Sequence, residues 1–481
     1  MKIVHATGEL YPYVKTGGLA DAVGATVEAL AGYGHQVAVF LPGYRAVLDS
    51  PELTDAERLF SFGVEMGPDL FQGEVRICRP RKNLTLYLVC RDEYFDRRFP
   101  YGRPDRDYED NAERFIFFSK AVVEALVRLG LKPDVVHCHD WQAALIPVLL
   151  RIEERRRAVA IAGKTLLTIH NLAFQGVFPR KTFALTNLPD ELLQVDGLEF
   201  YGQVNLLKGG ILFSDCLTTV SPTYAREILT PKFGCGLEGV LALRADDLVS
   251  VLNGIDTSIW NPEKDPHLPA SYSASKPEGK RVCRRALLRA SGFDESFEGP
   301  VFGLICRFTE QKGVHLIPET ADFFQGDRAR LVILGSGAPE YEDIIRELVE
   351  LRPEAVHASF LQDESLSHLI EAGSDFFLMP SIFEPCGLNQ MYSQHYGTVP
   401  VVSRVGGLAD TVVDLDDPSG LGTGIYFEPD SAEALLAALE RAQTLYRDSK
   451  RMRATMLRGM KTDFSWNTAV RRYESLYREI L

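Results

Sequence analysis

The sequence predicts an α/β protein built from two doubly wound, Rossmann-like domains facing a central cleft, and three observations point there. The chain has 481 residues, 46% of them hydrophobic, enough for two large cores at ordinary domain sizes. Apolar runs of strand length alternate with helical periodicity in both halves, the pattern of parallel sheet covered on both faces. Between the halves, 257–279 carries Pro262, Pro266, Pro269 and Pro277 without periodicity, as a linker or wrapped loop would.

In order, Lys2 to Ala6 is a buried-type strand, followed by a loop through Lys15-Thr16-Gly17-Gly18 and a helix from Leu19 to Gly32 that stops at Gly34. Strands are expected over Gln36–Leu41 and Thr85–Cys90, then a long helix from Asn111 to Leu129 and a strand at Val135-Val136 ending in His137-Cys138-His139-Asp140. One helix from Trp141 to Arg157 precedes a strand from Thr165 to Ile169 that runs into His170-Asn171; 172–203 is irregular. A helix around Asn205–Phe213 and strands Cys216–Ser221 and Leu248–Leu252 close a first domain, 1–255. The pattern restarts in a second domain, 256–462, with helices Lys280–Ala290 and Pro339–Leu351 and strands Val301–Cys306, Arg330–Leu334 and Ala355–Phe360. Helices at 431–446 and 449–461 follow, and 463–481 holds a last amphipathic helix expected to cross back to the first domain.

The formal charge of −14 argues against a nucleic-acid binder, so an anionic ligand must meet a few placed cations. Eight cysteines stand singly, without zinc-site spacing or the density of a secreted scaffold, as expected in a reducing cytoplasm. The N-terminus reads as a first strand rather than a signal peptide, and no apolar run reaches membrane-spanning length.

The most informative stretch is Asp375 to Thr411, two strand-loop-helix units in succession. The first loop carries Glu384 ahead of a helix expected near Cys386-Gly387-Leu388; the second runs through Gly406-Gly407 into a helix start at Leu408 to Asp410. Helix starts at the C-terminal edge of a parallel sheet suit a phosphate-bearing ligand. Gly17-Gly18-Leu19-Ala20-Asp21 recurs letter for letter as Gly406-Gly407-Leu408-Ala409-Asp410, so both copies are expected to form the same glycine turn. Arg307 and Lys312 follow a strand and suit a diphosphate leaving group without a metal; the plainer alternative is a solvated pair. Glu384 is either an active-site carboxylate or a buried helix cap. His170 is either a cleft group or a packed, satisfied imidazole. His137 and His139 share a strand face with no further ligand evident, so no metal is expected there and Asp140 is the better cleft candidate. Asp105-Arg106-Asp107 is a cheap spelling in a loop crowded with charge, and Gly335-Ser336-Gly337 alone is a weak nucleotide signal.

Taken together, Glu9–Asp21 (ELYPYVKTGGLAD), Asp110-Asn111 with Arg114-Phe115, His139-Asp140-Trp141, HNLAFQG at 170–176, TTVSPTY at 218–224, NGID at 253–256 and EPCGLNQ at 384–390 resemble the ADP-glucose-dependent glycogen and starch synthases, retaining glycosyltransferases of GT-B architecture. The resemblance covers nearly the whole chain. It implies that Lys15, Gly17 and Gly18 contact the donor diphosphate, with Arg307 and Lys312 on its other side. Asp21, His170 and Asn253 would lie near the transferred glucose, and Glu384 would address the ring. Cys386, Gly387 and Leu388 would face sugar and diphosphate, and Gly406-Gly407 the same ligand. Where bacterial members often carry an aromatic residue for the nucleobase, this chain has Leu361-Gln362-Asp363; Gln390 matches the synthase group rather than the glutamate of wider GT-B enzymes.

The expected activity is transfer of glucose from ADP-glucose to the non-reducing end of an α-1,4-glucan, glycogen or a maltooligosaccharide, with no cofactor or metal, nucleic acid or membrane involved. Domain closure would complete the site. The rival readings are a UDP-sugar transferase of the same architecture acting on another acceptor, and a glucan-binding protein without turnover.

Overall fold

The computed structural model describes residues 1–481 except Thr54, Pro104, Asp105 and Gln362. The chain divides into two compact units, 1–254 with 466–481, and 255–465.

The sheet of the first unit has nine strands, in the order Leu248–Ser250, Cys216–Thr219, Lys164–Ile169, Val135–His139, Lys2–Ala6, Gln36–Pro42, Leu84–Cys90, Asp69–Arg81 and Glu57–Met66. From Lys2–Ala6 the chain steps one way through Gln36–Pro42 to Leu84–Cys90, then crosses to Val135–His139 and steps the other way, so the reversal falls beside the first strand. Such a reversal opens a crevice outside the carboxyl ends of the strands. Val135–His139 lies inside the sheet, beside the central strand Lys2–Ala6, and is buried along its whole length, which forces its two imidazoles to find partners inside the protein.

The long hairpin of Glu57–Met66 and Asp69–Arg81 is antiparallel and extends the sheet past its parallel part, an element outside the strand-helix alternation. The single helix expected from Trp141 to Arg157 is instead two, Asp140–Ala143 and Leu145–Arg157. Pro147 has no N–H to return to the Ala143 carbonyl, so the helical ladder is interrupted there. Helix Asn111–Leu129 forms as expected and buries Arg114 completely. That guanidinium donates to the carbonyls of Tyr94 (2.7 Å) and Pro100 (2.8 Å) and to Asn111 Oδ1 (2.6 Å), pinning the preceding loop. The last helix, Trp466–Ile480, belongs to the first unit. Its apolar face, from Trp466 and Val470 to Tyr473 and Tyr477, joins that unit's core.

The second unit has a six-stranded parallel sheet, in the order Val356–Ser359, Arg330–Leu334, Val301–Ile305, Phe376–Met379, Val399–Ser403 and Ile425–Phe427. Its strand order reverses between Val301–Ile305 and Phe376–Met379, where the loops carrying Arg307 with Lys312 and Glu384 emerge side by side. Both helices expected in the Asp375–Thr411 stretch are displaced. The first is Asn389–His395, because Gly387 sits at φ +71° in the turn before it and the helix begins only after that turn. The second is Gly406–Thr411, one short turn. Among the described residues no helix is long and apolar enough to cross a membrane.

Candidate active site

In the second unit, two adjacent strand ends are zipped together. The Ile382 N–H donates to the Gln311 carbonyl (2.8 Å), Gln311 Nε2 to the Phe383 carbonyl (3.3 Å), and Asn389 Nδ2 to the Ile305 carbonyl (2.9 Å). Lys312 Nζ thereby reaches Glu384 Oε2 at 2.5 Å, and Ser381 Oγ donates to the same oxygen at 3.0 Å. Glu384 is 5% exposed; with two donors on one oxygen, this is a fixed carboxylate rather than a free nucleophile. Arg307 is exposed and makes no ion pair or hydrogen bond among the described residues. The strand end thus presents one held cation and one uncommitted one.

The turn after Glu384 and the glycine turn pack directly on each other. The Gly407 N–H donates to the Glu384 carbonyl (3.0 Å). A Cβ on Gly407 would stand 2.2 Å from the Cys386 carbonyl oxygen. Gln390 Nε2 binds the Cys386 and Gly387 carbonyls and Thr411 Oγ1 at 3.0 to 3.1 Å, and Thr411 Oγ1 donates back to the Gly407 carbonyl (2.6 Å). A glutamate at 390 would have no N–H to give these oxygens. Cys386 is buried and Leu388 half-buried at the cap of Asn389–His395. Glu384, Lys312, Arg307, Cys386, Gly387, Leu388, Gly406 and Gly407 therefore gather at one sheet edge.

In the first unit the loop after Lys2–Ala6 wraps around Glu9. Its carboxylate accepts from the Thr16 N–H (2.6 Å), Thr16 Oγ1 (2.6 Å), the Gly17 N–H (3.2 Å) and the Tyr101 hydroxyl (3.0 Å). Burial pushes this carboxyl above its usual range, against the hydrogen bonds that favour the anion. The loop delivers exposed Lys15 to Asp21 at 2.8 Å and places Gly17 and Gly18 at the start of helix Gly18–Gly32. At the neighbouring strand end Asp140 adopts φ +52° and accepts the His170 N–H (2.7 Å). Burial pushes its carboxyl up to about 7, opposed by the backbone N–H groups of His170 and Asn171. Asn253 is buried just beyond the edge strand Leu248–Ser250.

Four imidazoles lie behind this edge. His137 Nδ1 meets the Tyr477 hydroxyl (2.8 Å) and His137 Nε2 meets Thr168 Oγ1 (2.6 Å). His139 bonds His5 on one side and His170 on the other. Burial holds His5 and His170 down at about 3. It holds His137 and His139 well below the ordinary value, with the neighbouring rings adding to the effect. His137 and His139 do share a face, but a third imidazole joins them: His5, the register partner of His137 on the adjacent strand, brings three ring nitrogens within 4.8 Å of one another. Both nitrogens of His137 are already spent on hydroxyl groups.

Glu9, Ser381, Gln390 and His5 are the site-shaping residues to which sequence reasoning assigned no role. Glu9 and Gln390 stood inside recognised stretches, while the place of His5 depends on strand pairing that no local pattern reveals. Asp105 of the Asp105-Arg106-Asp107 spelling lies outside the described residues, and Arg106–Asp107 pairs with Gly102–Arg103 in a small ribbon. Gln362 of the Leu361-Gln362-Asp363 loop also lies outside them; Asp363 caps helix Glu364–Gly373 through the Leu366 N–H (2.9 Å).

Residues 2–243 match the family model of the starch synthase catalytic domain, and 293–456 that of glycosyl transferases group 1. Over its full length the chain is 57% identical to a glycogen synthase of Opitutus terrae, with 100% of both chains covered. The chain belongs to the glycogen and starch synthase family. A glycogen synthase 1 of Methylococcus capsulatus is 45% identical, covering 100% of this chain and 97% of the relative. Among solved structures, the catalytic domain of starch synthase IV from Arabidopsis thaliana, bound to ADP and acarbose, superposes with a TM-score of 0.90 at 33% identity, covering 100% of this chain and 99% of that one. A sucrose-phosphate synthase from Thermosynechococcus elongatus, at 16% identity and a TM-score of 0.61, shares the fold. The synthase family is a glycosyltransferase family of GT-B architecture; the second sheet lies wholly within the matched segment 293–456, and the first lies within 2–243 apart from its edge strand Leu248–Ser250.

Proposed function

We propose that the chain transfers glucose from ADP-glucose to the 4-hydroxyl at the non-reducing end of an α-1,4-glucan, with retention at the anomeric carbon, and does so in the cytoplasm. The observation that carries this reading is the pair of cations at the reversal of the second sheet: Arg307 uncommitted, Lys312 held beside a fixed carboxylate. A departing diphosphate needs positive charge that is already in place, and preorganised cations supply it without solvent reorganisation or a metal. Lys15 and the Gly17-Gly18 turn are assigned to the same diphosphate. Asp21, Asp140, His170 and Asn253 are assigned to the sugar, as are Cys386, Gly387, Leu388 and the Gly406-Gly407 turn from the second unit.

Retention by double displacement would need a nucleophilic carboxylate next to a second acid. Glu384 instead has Lys312 and Ser381 on one oxygen, which supports a different role: it orients the lysine and stabilises positive charge developing on the ring. Attack then comes from the same face the diphosphate leaves, through an oxocarbenium-like state. The bond from the anomeric carbon to the diphosphate oxygen breaks, the bond to the acceptor oxygen forms, and the diphosphate takes the acceptor proton. The ADP and acarbose bound by the Arabidopsis neighbour support an adenine nucleotide and a glucan-like acceptor.

The test is release of ADP from ADP-glucose with and without glycogen, alongside UDP-glucose as donor. Acceptor-dependent ADP release is expected. Turnover with UDP-glucose alone would replace the donor assignment, and glycogen binding without release from either donor would leave a binding protein.

A further inference from the structure

Three of the buried imidazoles form a chain with a direction. His5 Nδ1 lies 3.0 Å from His139 Nε2, and His139 Nδ1 lies 3.1 Å from His170 Nε2. The two end nitrogens, His5 Nε2 and His170 Nδ1, are buried and have no hydrogen-bond partner among the described residues. Burial keeps all three rings neutral near pH 7, and a neutral imidazole has one N–H and one lone pair. Each link needs a donor facing an acceptor, so the proton position on one ring dictates the next, and only two arrangements satisfy both links.

In one arrangement every ring donates toward His5, leaving His5 with an Nε2–H that has nothing to bond and His170 with a bare Nδ1. In the other, His5 donates from Nδ1, His139 donates from Nδ1, and His170 keeps its own proton on Nδ1. Orphaned donors are rarer in protein interiors than under-satisfied acceptors. The two ends also differ in depth, His5 being 0% and His170 9% exposed. The second arrangement puts the unpaired N–H at the shallower end, on the residue whose backbone N–H Asp140 accepts, and leaves only a lone pair at the deep one. His137 takes no part, since Tyr477 and Thr168 occupy both its nitrogens.

We infer that His5 and His139 are positioning residues that lock His170 as its Nδ1–H tautomer, so that His170 meets the sugar side of the site as a hydrogen-bond donor of fixed direction. The functional half of this inference rests on the assignment of His170 to the sugar; the tautomer itself can be read in the free protein, so its failure and failure of the activity reading are separable.

The experiment is nitrogen-15 NMR of the full chain labelled at histidine, at neutral pH, where ring shifts and couplings to the ring C–H groups distinguish the tautomers. The expected result is a proton on Nδ1 of His5, His139 and His170. His5→Phe keeps a ring but cannot donate; it should release His170 to a mixture or to the Nε2–H form, with kcat/KM for donor falling about tenfold, the worth of one hydrogen bond. His5→Asn, whose amide N–H stands near the place of Nδ1, should restore both the tautomer and the rate. An Nε2–H on His170 in the wild-type chain overturns the inference, as does an unchanged His170 tautomer in a folded His5→Phe. If His5→Phe does not fold, the wild-type spectrum and His5→Asn decide. Stoichiometric capture of added zinc by His5, His137 and His139 would also overturn it, making the cluster a metal site instead.

Discussion

Gly17-Gly18-Leu19-Ala20-Asp21 and Gly406-Gly407-Leu408-Ala409-Asp410 are the same five residues, each leading from a strand into a helix, yet they fold into different objects. In the first copy Gly17 is the cap, with extended backbone, and Gly18 opens a helix of 15 residues. In the second the cap is Val405, Gly406 itself is the first helical residue at φ +41°, and the helix has six residues. The first turn is largely exposed and its Gly17 N–H goes to the side chain of Glu9; the second is buried and its Gly407 N–H goes to the backbone of Glu384. The pentapeptide encodes a turn into a helix. The surroundings shift the start by one residue and decide whether a Cβ at the glycine would meet backbone or open space.

The largest contrast should come from alanine at the two turns. Gly407→Ala puts a Cβ 2.2 Å from backbone that cannot move without breaking the Gln390 bonds. It should destabilise the second unit by about 3 kcal/mol or more and abolish turnover. Gly17→Ala meets nothing within 4 Å and should change stability by under about 0.5 kcal/mol, so any loss it causes must appear in KM for donor or in kcat. Equal stability losses in denaturant melts would erase the distinction between the two turns.

Next come the two cations beside the second turn. Arg307→Ala should lower kcat about 100- to 1,000-fold with unchanged melting. Lys312→Ala should lower it comparably and also destabilise by about 3 kcal/mol, because it strands Glu384 with Ser381 alone. Near-normal turnover in either variant would remove the leaving-group role.

The first turn lies at the same sheet edge as the buried imidazoles, and this predicts acid sensitivity. Their folded pKa values lie below the unfolded 6.5, so the stability linked to them is complete above about pH 6.5 and is lost as pH falls toward 3, at roughly 1.4 kcal/mol per pH unit for each ring. Asp140, raised to about 7, and Glu9, also raised by burial, act the opposite way, since their burden grows as pH rises above the ordinary carboxylate range, but they are two groups against four. The protection of strands Lys2–Ala6 and Val135–His139 against hydrogen exchange, taken relative to the intrinsic rate at each pH, should therefore fall between pH 7 and 5. Constant protection would mean the rings are not buried as described.

The smallest effect should be that of Asp21→Asn. Its pair with Lys15 is 2.8 Å long, but the lysine side chain is 46% exposed, so stability should change by no more than about 0.5 kcal/mol. A larger change would make the first turn as structural as the second.

Much of this was legible in the chain. Alternating strand and helix signals identify both sheets, because parallel strands buried on both faces must be continuous apolar runs. Asp140, His170 and Arg307 just past their C-terminal ends, and Lys15 and Glu384 in the loops that follow, stand out because polar and charged residues are rare beside such runs. The antiparallel hairpin at 57–81 was not legible, since its strands are half exposed and carry charge throughout. Nor was the break at Ala144, which one proline two positions into the following helix produces.

By itself the sequence determined the two-unit α/β architecture, the family and the chemical types gathered at the strand ends, since these follow from periodicity and motif. Only the tertiary structure decided which identical turn is exposed and which buried, that Lys312 rather than Arg307 holds Glu384, and that His5 joins His139 and His170. Those outcomes depend on which strands lie side by side, and in parallel sheets neighbouring strands come from distant parts of the chain, so no local pattern can carry them.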